Sequence, residues 1–168
     1  DRLGTSLKPS INGLNSFSAA ARKTSLEGNG VKKIFTSVSA ASAVLNLSVD
    51  DTNGVFRALT QILSKGTVQA EELRGQLGER IPGAFNIAAE AMGVTTAELN
   101  KMLEQGQVLS EDFLPKFAEQ LQKTFGKDVV TAAASSRASV NRFGNELLLL
   151  KVAISDSGIN ELAQEFTD

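Results

Sequence analysis

Glu71, Glu72, Glu79 and Glu90 are the side chains whose type and spacing come nearest to catalysis in this sequence. Two carboxylates held at a fixed separation can hydrolyse a glycosidic bond, one as acid and the other as base or nucleophile. Successive residues on a helix, however, point about 100° apart, so Glu71 and Glu72 do not face one substrate together. Sites of that kind also use aromatic sugar platforms, and Trp and Tyr are both absent. The reading adopted for these carboxylates is N-terminal: acids in a first helical turn sit at the positive end of the helix dipole.

Other candidate chemistry is thinner. Ser135, Ser136 and Ser139 offer hydroxyl nucleophiles, but there is no His to act as base and no Ser-x-x-Lys motif. They read as small residues that let helices approach. Glu111, Asp112 and Asp128 could meet a hard cation, yet the Asp-x-Asp-x-Asp-Gly loop of a calcium site is missing. With no His and no Cys, the usual transition-metal ligands and the thiol nucleophile are gone. The expectation is a non-enzyme with no catalytic, cofactor or metal residues. Gln76 and Arg80, four apart, share a helix face and read as rim residues or contacts to a partner.

Composition agrees with a packed domain. The chain has 168 residues, 42% hydrophobic and 21% charged, enough for a real core and unlike a disordered segment. Nine Phe supply core volume with no polar handle. Net charge is −2 with both signs mixed and no basic run longer than a pair such as Lys32-Lys33, so no specific nucleic-acid surface is expected. Apolar runs fall short of the ~20 residues of a membrane span. The chain opens on Asp1 and is read as an internal piece of a longer protein, with no membrane segment of its own.

The elements that position these residues read as helices throughout. Pro9, Pro82 and Pro115 each read as preceding a helix or sitting in its first turn or so. A first helix is expected within 10–26. A second runs from about Gly30 to Leu47, with Val31, Ile34, Val38, Ala41 and Leu45 on one face. Ser48 opens a third, with Asp51 at capping-box distance, Val55, Phe56, Leu59, Ile62 and Leu63 inside, and Gly66 as its stop. Short helices follow over roughly 70–79, 82–92, 96–105 and 110–125. Gly66-Thr67-Val68, Gly93-Val94-Thr95 and Gly106-Gln107-Val108 recur at their ends: glycine supplies a left-handed cap and a following valine packs back. Pro82-Gly83 reads as a sharp corner.

Beyond 128 the pattern changes. Val129, Ala133, Ser136, Val140, Phe143, Leu147, Leu150 and Ile154 are spaced alternately by four and three, a heptad seam weak in its first half. A helix over 129–154 would be ~39 Å long, with a short tail helix around 159–166. Val140, Phe143, Leu147, Leu150 and Ile154 are the candidate helix–helix contacts, either inside the chain's own bundle or between copies. The chain divides on this reading into 1–50, a helical segment open to a hairpin; 51–126, a compact helical domain with tight Gly corners; and 127–168, a long helix and tail packing on that domain.

The stretch from Phe56 to about Leu121 resembles the conserved domain near the N-terminus of phage tail-length tape measure proteins. The helix end Gln61-Ile62-Leu63-Ser64-Lys65-Gly66 is followed by Glu71-Glu72-Leu73, Gln76-Leu77 and Pro82-Gly83-Ala84. Met92-Gly93-Val94-Thr95, Glu98-Leu99, Gln105-Gly106 and Val108 come next, in the family's order. Glu71, Glu72, Leu73, Gln76, Leu77, Pro82, Gly83, Gly93 and Gly106 would be its structural signature. The resemblance implies a structural component of a phage or prophage tail. Its parent protein would set tail length and nucleate tube assembly, in the tail lumen and, during assembly, in the host cytoplasm. Implied partners are other copies, as a trimer or hexamer, and tail tube, assembly chaperone or baseplate proteins. A helix of the whole chain would reach ~250 Å, but its glycine corners forbid that, so this piece reads as a docking domain beside the ruler. The alternative is a non-phage helical adaptor or secretion-apparatus module.

Overall fold

The computed structural model describes residues 3–129, with side chains from Asn12 onward. The elements are α1 (Leu3–Ala21), α2 (Asn29–Val44), α3 (Val49–Lys65), a π-helix (Glu71–Leu77), α4 (Ala84–Met92), α5 (Thr96–Glu104), α6 (Ser110–Phe125) and a 3₁₀ turn (Gly126–Asp128). The chain is all-α. The helix expected over 129–154, the tail helix, the seam Val140, Phe143, Leu147, Leu150 and Ile154, and Ser135, Ser136 and Ser139 lie outside the described residues, apart from Val129 at their edge.

Local chemistry sets most helix ends. The Ser48 hydroxyl accepts the Asp51 N–H at 3.0 Å and starts α3. Thr95 and Glu98 form a full capping box, each side chain accepting the other's backbone N–H, and start α5. Gly66 and Gly93 cap α3 and α4 in the left-handed conformation. Gly106 has φ 64°, and its N–H and that of Gln107 donate to the Leu103 and Met102 carbonyls at 3.1 and 2.9 Å. The corners after α3 and α5 are then stitched together. Val68 N–H donates to the Val108 carbonyl at 2.9 Å, and Ser110 N–H to the Gly66 carbonyl at 3.0 Å. Val68 and Val108 are themselves fully buried.

Three expectations are corrected. Helix α1 begins before Pro9 and ends at Ala21, short of 26, because Lys23 takes the left-handed conformation (φ 63°) and the Thr24 hydroxyl donates to the Ala21 carbonyl. Pro9 and Pro115 lie inside α1 and α6, beyond the first turn. An internal proline costs a hydrogen bond and a clash of about 3 kcal/mol. In α6 the burial of Phe113, Leu114, Phe117 and Leu121 outweighs it, at about 1.5–3 kcal/mol for each such side chain. Residues 71–77 are a π-helix rather than an α-helix. Glu72, Leu73 and Leu77 are all fully buried, and i→i+5 bonding aligns residues 72 and 77, which an α-helix would splay.

Packing forms two sets of helices. In one, α3 lies between α1 and the π-helix; in the other, α6 lies between α2 and α4. The α1–α2 loop and α2 run parallel to α6: Ser25 of the loop meets Glu111, and Lys33 of α2 meets Glu119 at 3.5 Å. A single hydrophobic cluster draws on every α-helix and on the π-helix, with Phe17, Phe56, Phe113, Phe117, Leu59 and Leu99 among its largest members. Phe35 stacks on Phe56 with ring centroids 5.8 Å apart, joining α2 to α3.

The α1–α2 loop is tied to α6 by one carboxylate. Glu111 accepts the Ser25 hydroxyl and, at 2.9 Å, the Ser25 N–H. Those two donors, the hydroxyl foremost, hold the Glu111 carboxyl below its ordinary 4.5. Glu98 is lowered by the Thr95 N–H and hydroxyl, and Glu119 by Lys123 and Lys33. A carboxylate with a depressed folded value stabilises the fold above its unfolded value, and that contribution disappears as pH falls through the folded one. Thermal stability should therefore drop on acidification below 4.5. In melts across that range, Glu111→Gln should start less stable at neutral pH and lose less on acidification; an unchanged acid slope would mean that the tether contributes nothing.

Candidate functional site

Part of the stretch that carries the resemblance, from Gln61 to Leu77, meets along the seam between α3 and the π-helix. These two elements run antiparallel around the Gly66 corner, and three polar rungs join α3 to the π-helix and the turn after it. Lys65 donates to the Glu72 carboxylate as an ion pair. One turn further from the corner, Gln76 Nε2 donates to Gln61 Oε1 at 2.8 Å. At the far end Arg80 lies across Gly54, where an added β-carbon would stand 2.0 Å from Arg80 Nε. The guanidinium donates to the Gln76 carbonyl at 2.8 Å and has Asp51 and Glu79 carboxylates at 3.9 and 4.0 Å. The polar rungs therefore recur every four residues, at 72, 76 and 80. The residue after each, Leu73, Leu77 and Ile81, is fully buried.

Glu72 is the unusual member. Its side chain is 1% exposed, whereas Lys65 keeps 47% exposure. Burying a carboxylate is costly unless a charge partner compensates it. Lys65 supplies that partner at one oxygen, while Oε2 is buried with no hydrogen bond among the described groups. The Glu72 hydrogen bond, aided by the charges of Glu72 and Glu71, raises the Lys65 ammonium above its ordinary 10.5. That interaction is fully present below 10.5 and is lost only as pH rises through the raised value. Glu71 and Glu72 both lie in the first turn of the π-helix, which has no side-chain cap, and Glu72 adds a tertiary ion pair to Lys65.

The remaining candidates are dispersed. Glu71 is exposed beside buried Glu72, and Gln76 is half-buried in its rung. Pro82 and Gly83 form an exposed corner with Gly83 at φ 77°, and Gly93 and Gly106 are exposed caps. Glu79 stands on the surface near Arg80, and Glu90 accepts from Gln120 at 2.8 Å. Asp112 pairs with Lys116 at 2.9 Å. Among the described residues no group of three His, Cys, Asp or Glu is placed to hold a metal ion, and no helix is long and apolar enough to cross a membrane. What this arrangement does chemically is hold helices in register. The outer face is polar as well: Arg74 covers the Phe85 ring at 3.9 Å and donates to Asn100 at 3.0 Å. Leu109, 58% exposed, is the one large hydrophobic on the described surface.

Sequence reasoning missed the Lys65–Glu72 pair and the Gly54–Arg80 crossing. Both join residues whose proximity exists only once the chain turns at Gly66. The available signal was a Lys directly before a glycine corner and a Glu within two turns after it, which is weak without the fold.

Comparison with known proteins places this chain in a family. No solved structure matches the chain. The family model described as tape measure protein matches residues 1–156. The chain is 30% identical over 167 residues to a protein named probable tape measure protein from Salmonella phage Felix O1 (isolate Felix O1-VT1), covering 96% of this chain and 22% of that relative. The chain thus spans about a fifth of the length of the curated relative it matches. With most of its length inside that family model, the chain belongs to the tape measure protein family.

Proposed function

We propose that this chain is a structural domain of a phage tail tape measure protein and acts by helix-mediated docking rather than catalysis. The observation that carries this reading is where the signature residues go. Glu72, Leu73, Gln76 and Leu77 are spent on the α3–π-helix seam and the core, so the signature maintains a shape instead of assembling a reactive site. In this reading the parent protein sets tail length and nucleates tail tube assembly. Its partners are tail tube, assembly chaperone or baseplate proteins, in the tail lumen and earlier in the host cytoplasm. The folded domain is not the ruler, because a chain turned at five glycines of positive φ among the described residues does not extend as one helix.

Self-contacts as a trimer or hexamer belong, in the same proposal, to Val140, Phe143, Leu147, Leu150 and Ile154. Leu109 alone offers too little apolar surface for a stable interface.

Two experiments test this. Deleting the segment from the parent gene should abolish tails or leave tubes of uncontrolled length in electron micrographs. Intact tails shortened by ~1.5 Å per deleted residue would instead make the segment part of the ruler and refute a docking role. Light scattering over a wide concentration range should show an oligomer that Leu147→Glu dissociates and Leu109→Glu does not. The reverse pattern, or a monomer throughout, would remove the proposed seam.

A further inference from the structure

Three Asn-Gly pairs occur in the chain, at 12–13, 29–30 and 53–54. Such a pair is the sequence most open to spontaneous deamidation, because glycine puts no side chain in the way of its own backbone nitrogen. The reaction needs more than sequence. The glycine nitrogen must reach the asparagine side-chain carbon, which requires a free N–H and a backbone able to leave the helical conformation.

The structure separates the three sites on those criteria. Asn12-Gly13 and Asn53-Gly54 lie inside α1 and α3, where the glycine N–H belongs to the helical ladder. Asn53 is also 8% exposed, and a β-carbon at Gly13 would stand 2.8 Å from its Oδ1, so the two helices pack tightly there. Asn29 differs from both in standing at a helix start, and from Asn53 in exposure. It is exposed and is the first residue of α2. The preceding Gly28 has φ 79° and ψ −106° and supplies no side-chain cap. Val31 and Lys32 donate to the Leu26 and Gly28 carbonyls, while Gly30 N–H donates to none of the described carbonyls. A helix's first turn also frays at little cost.

We propose that Asn29 is a spontaneous modification site, converted to aspartate and isoaspartate while the domain remains folded. Base removes the Gly30 amide proton, and the nitrogen attacks the Asn29 side-chain carbonyl carbon. The bond from that carbon to the side-chain nitrogen breaks, and ammonia leaves. Water then opens the cyclic imide at either carbonyl. The net change consumes one water, releases one ammonia and involves no oxidant or reductant. The aspartate product places a carboxylate in the first turn of α2, which carries no acid of its own and whose dipole favours one. The isoaspartate product lengthens the main chain between Asn29 and Gly30. Gly30 lies where Leu26 packs, since a β-carbon there would stand 3.1 Å from the Leu26 β-carbon. The change therefore falls on the same loop that Glu111 holds through Ser25.

Trypsin places the three sites in separate peptides, Leu3–Arg22, Thr24–Lys32 and Ile34–Arg57. The chain is aged in mildly alkaline buffer, native and in denaturant, and the peptides are followed by mass spectrometry. In the native chain Asn29 should convert at least about 100-fold faster than Asn53, whose reaction waits on opening the helix interior. In denaturant the three should converge, and Asn29→Gln should silence its own peptide alone. Equal native rates, Asn12 or Asn53 ahead of Asn29, or an Asn29 that survives while the denatured chain converts would overturn the proposal.

Discussion

A carboxylate that has lost its water is a liability unless something of opposite charge reaches it, and Glu72 is such a group. It sits on the buried face of a wide π-helical turn, between apolar Leu73 and the Gly66 corner. Lys65 reaches it only because α3 ends one residue later in a left-handed glycine that reverses the chain. The cap, the corner and the ion pair are thus one device. A β-carbon at Gly66 would strain the backbone, and moving the corner by one residue would leave the Glu72 charge unpaired.

Much of the packing depends on that device. With the corner fixed, the polar rungs at 72, 76 and 80 fall on α3, and Leu73, Leu77 and Ile81 turn into the core. The Gly66 carbonyl then receives Ser110 N–H, and Val68 pairs with Val108, which sets where α6 begins. Helix α6 in turn holds the α1–α2 loop through Glu111 and α2 itself through Glu119. A chain of this design is organised from the middle outward.

What the sequence disclosed follows from how local each interaction is. Ser48 with Asp51, Thr95 with Glu98, and the buried face of α3 were readable because partners lie within one or two turns. The all-α fold and the family resemblance were readable for the same reason, from caps and spacing. The π-register was not, since 71–77 looks helical and only tertiary burial of Glu72 beside Leu77 selects the wider turn. Pro115 inside α6 escaped because the packing that outweighs its cost comes from other helices. The ion pair of Glu72 escaped because its partner, Lys65, lies across a corner whose geometry spacing alone does not reveal.

Lys65 and Glu72 act as a pair that holds the π-helix on α3, and a double-mutant cycle reads that coupling directly. Stability would be measured by denaturant unfolding for the original chain, Lys65→Met, Glu72→Met and the double variant. Lys65→Met should be the more damaging single change, by about 1–3 kcal/mol, because it strands a buried charge. The double variant should recover much of that loss, giving a coupling of about 1–3 kcal/mol. Effects that add to within about 0.5 kcal/mol would show that the two side chains act independently and would contradict the account.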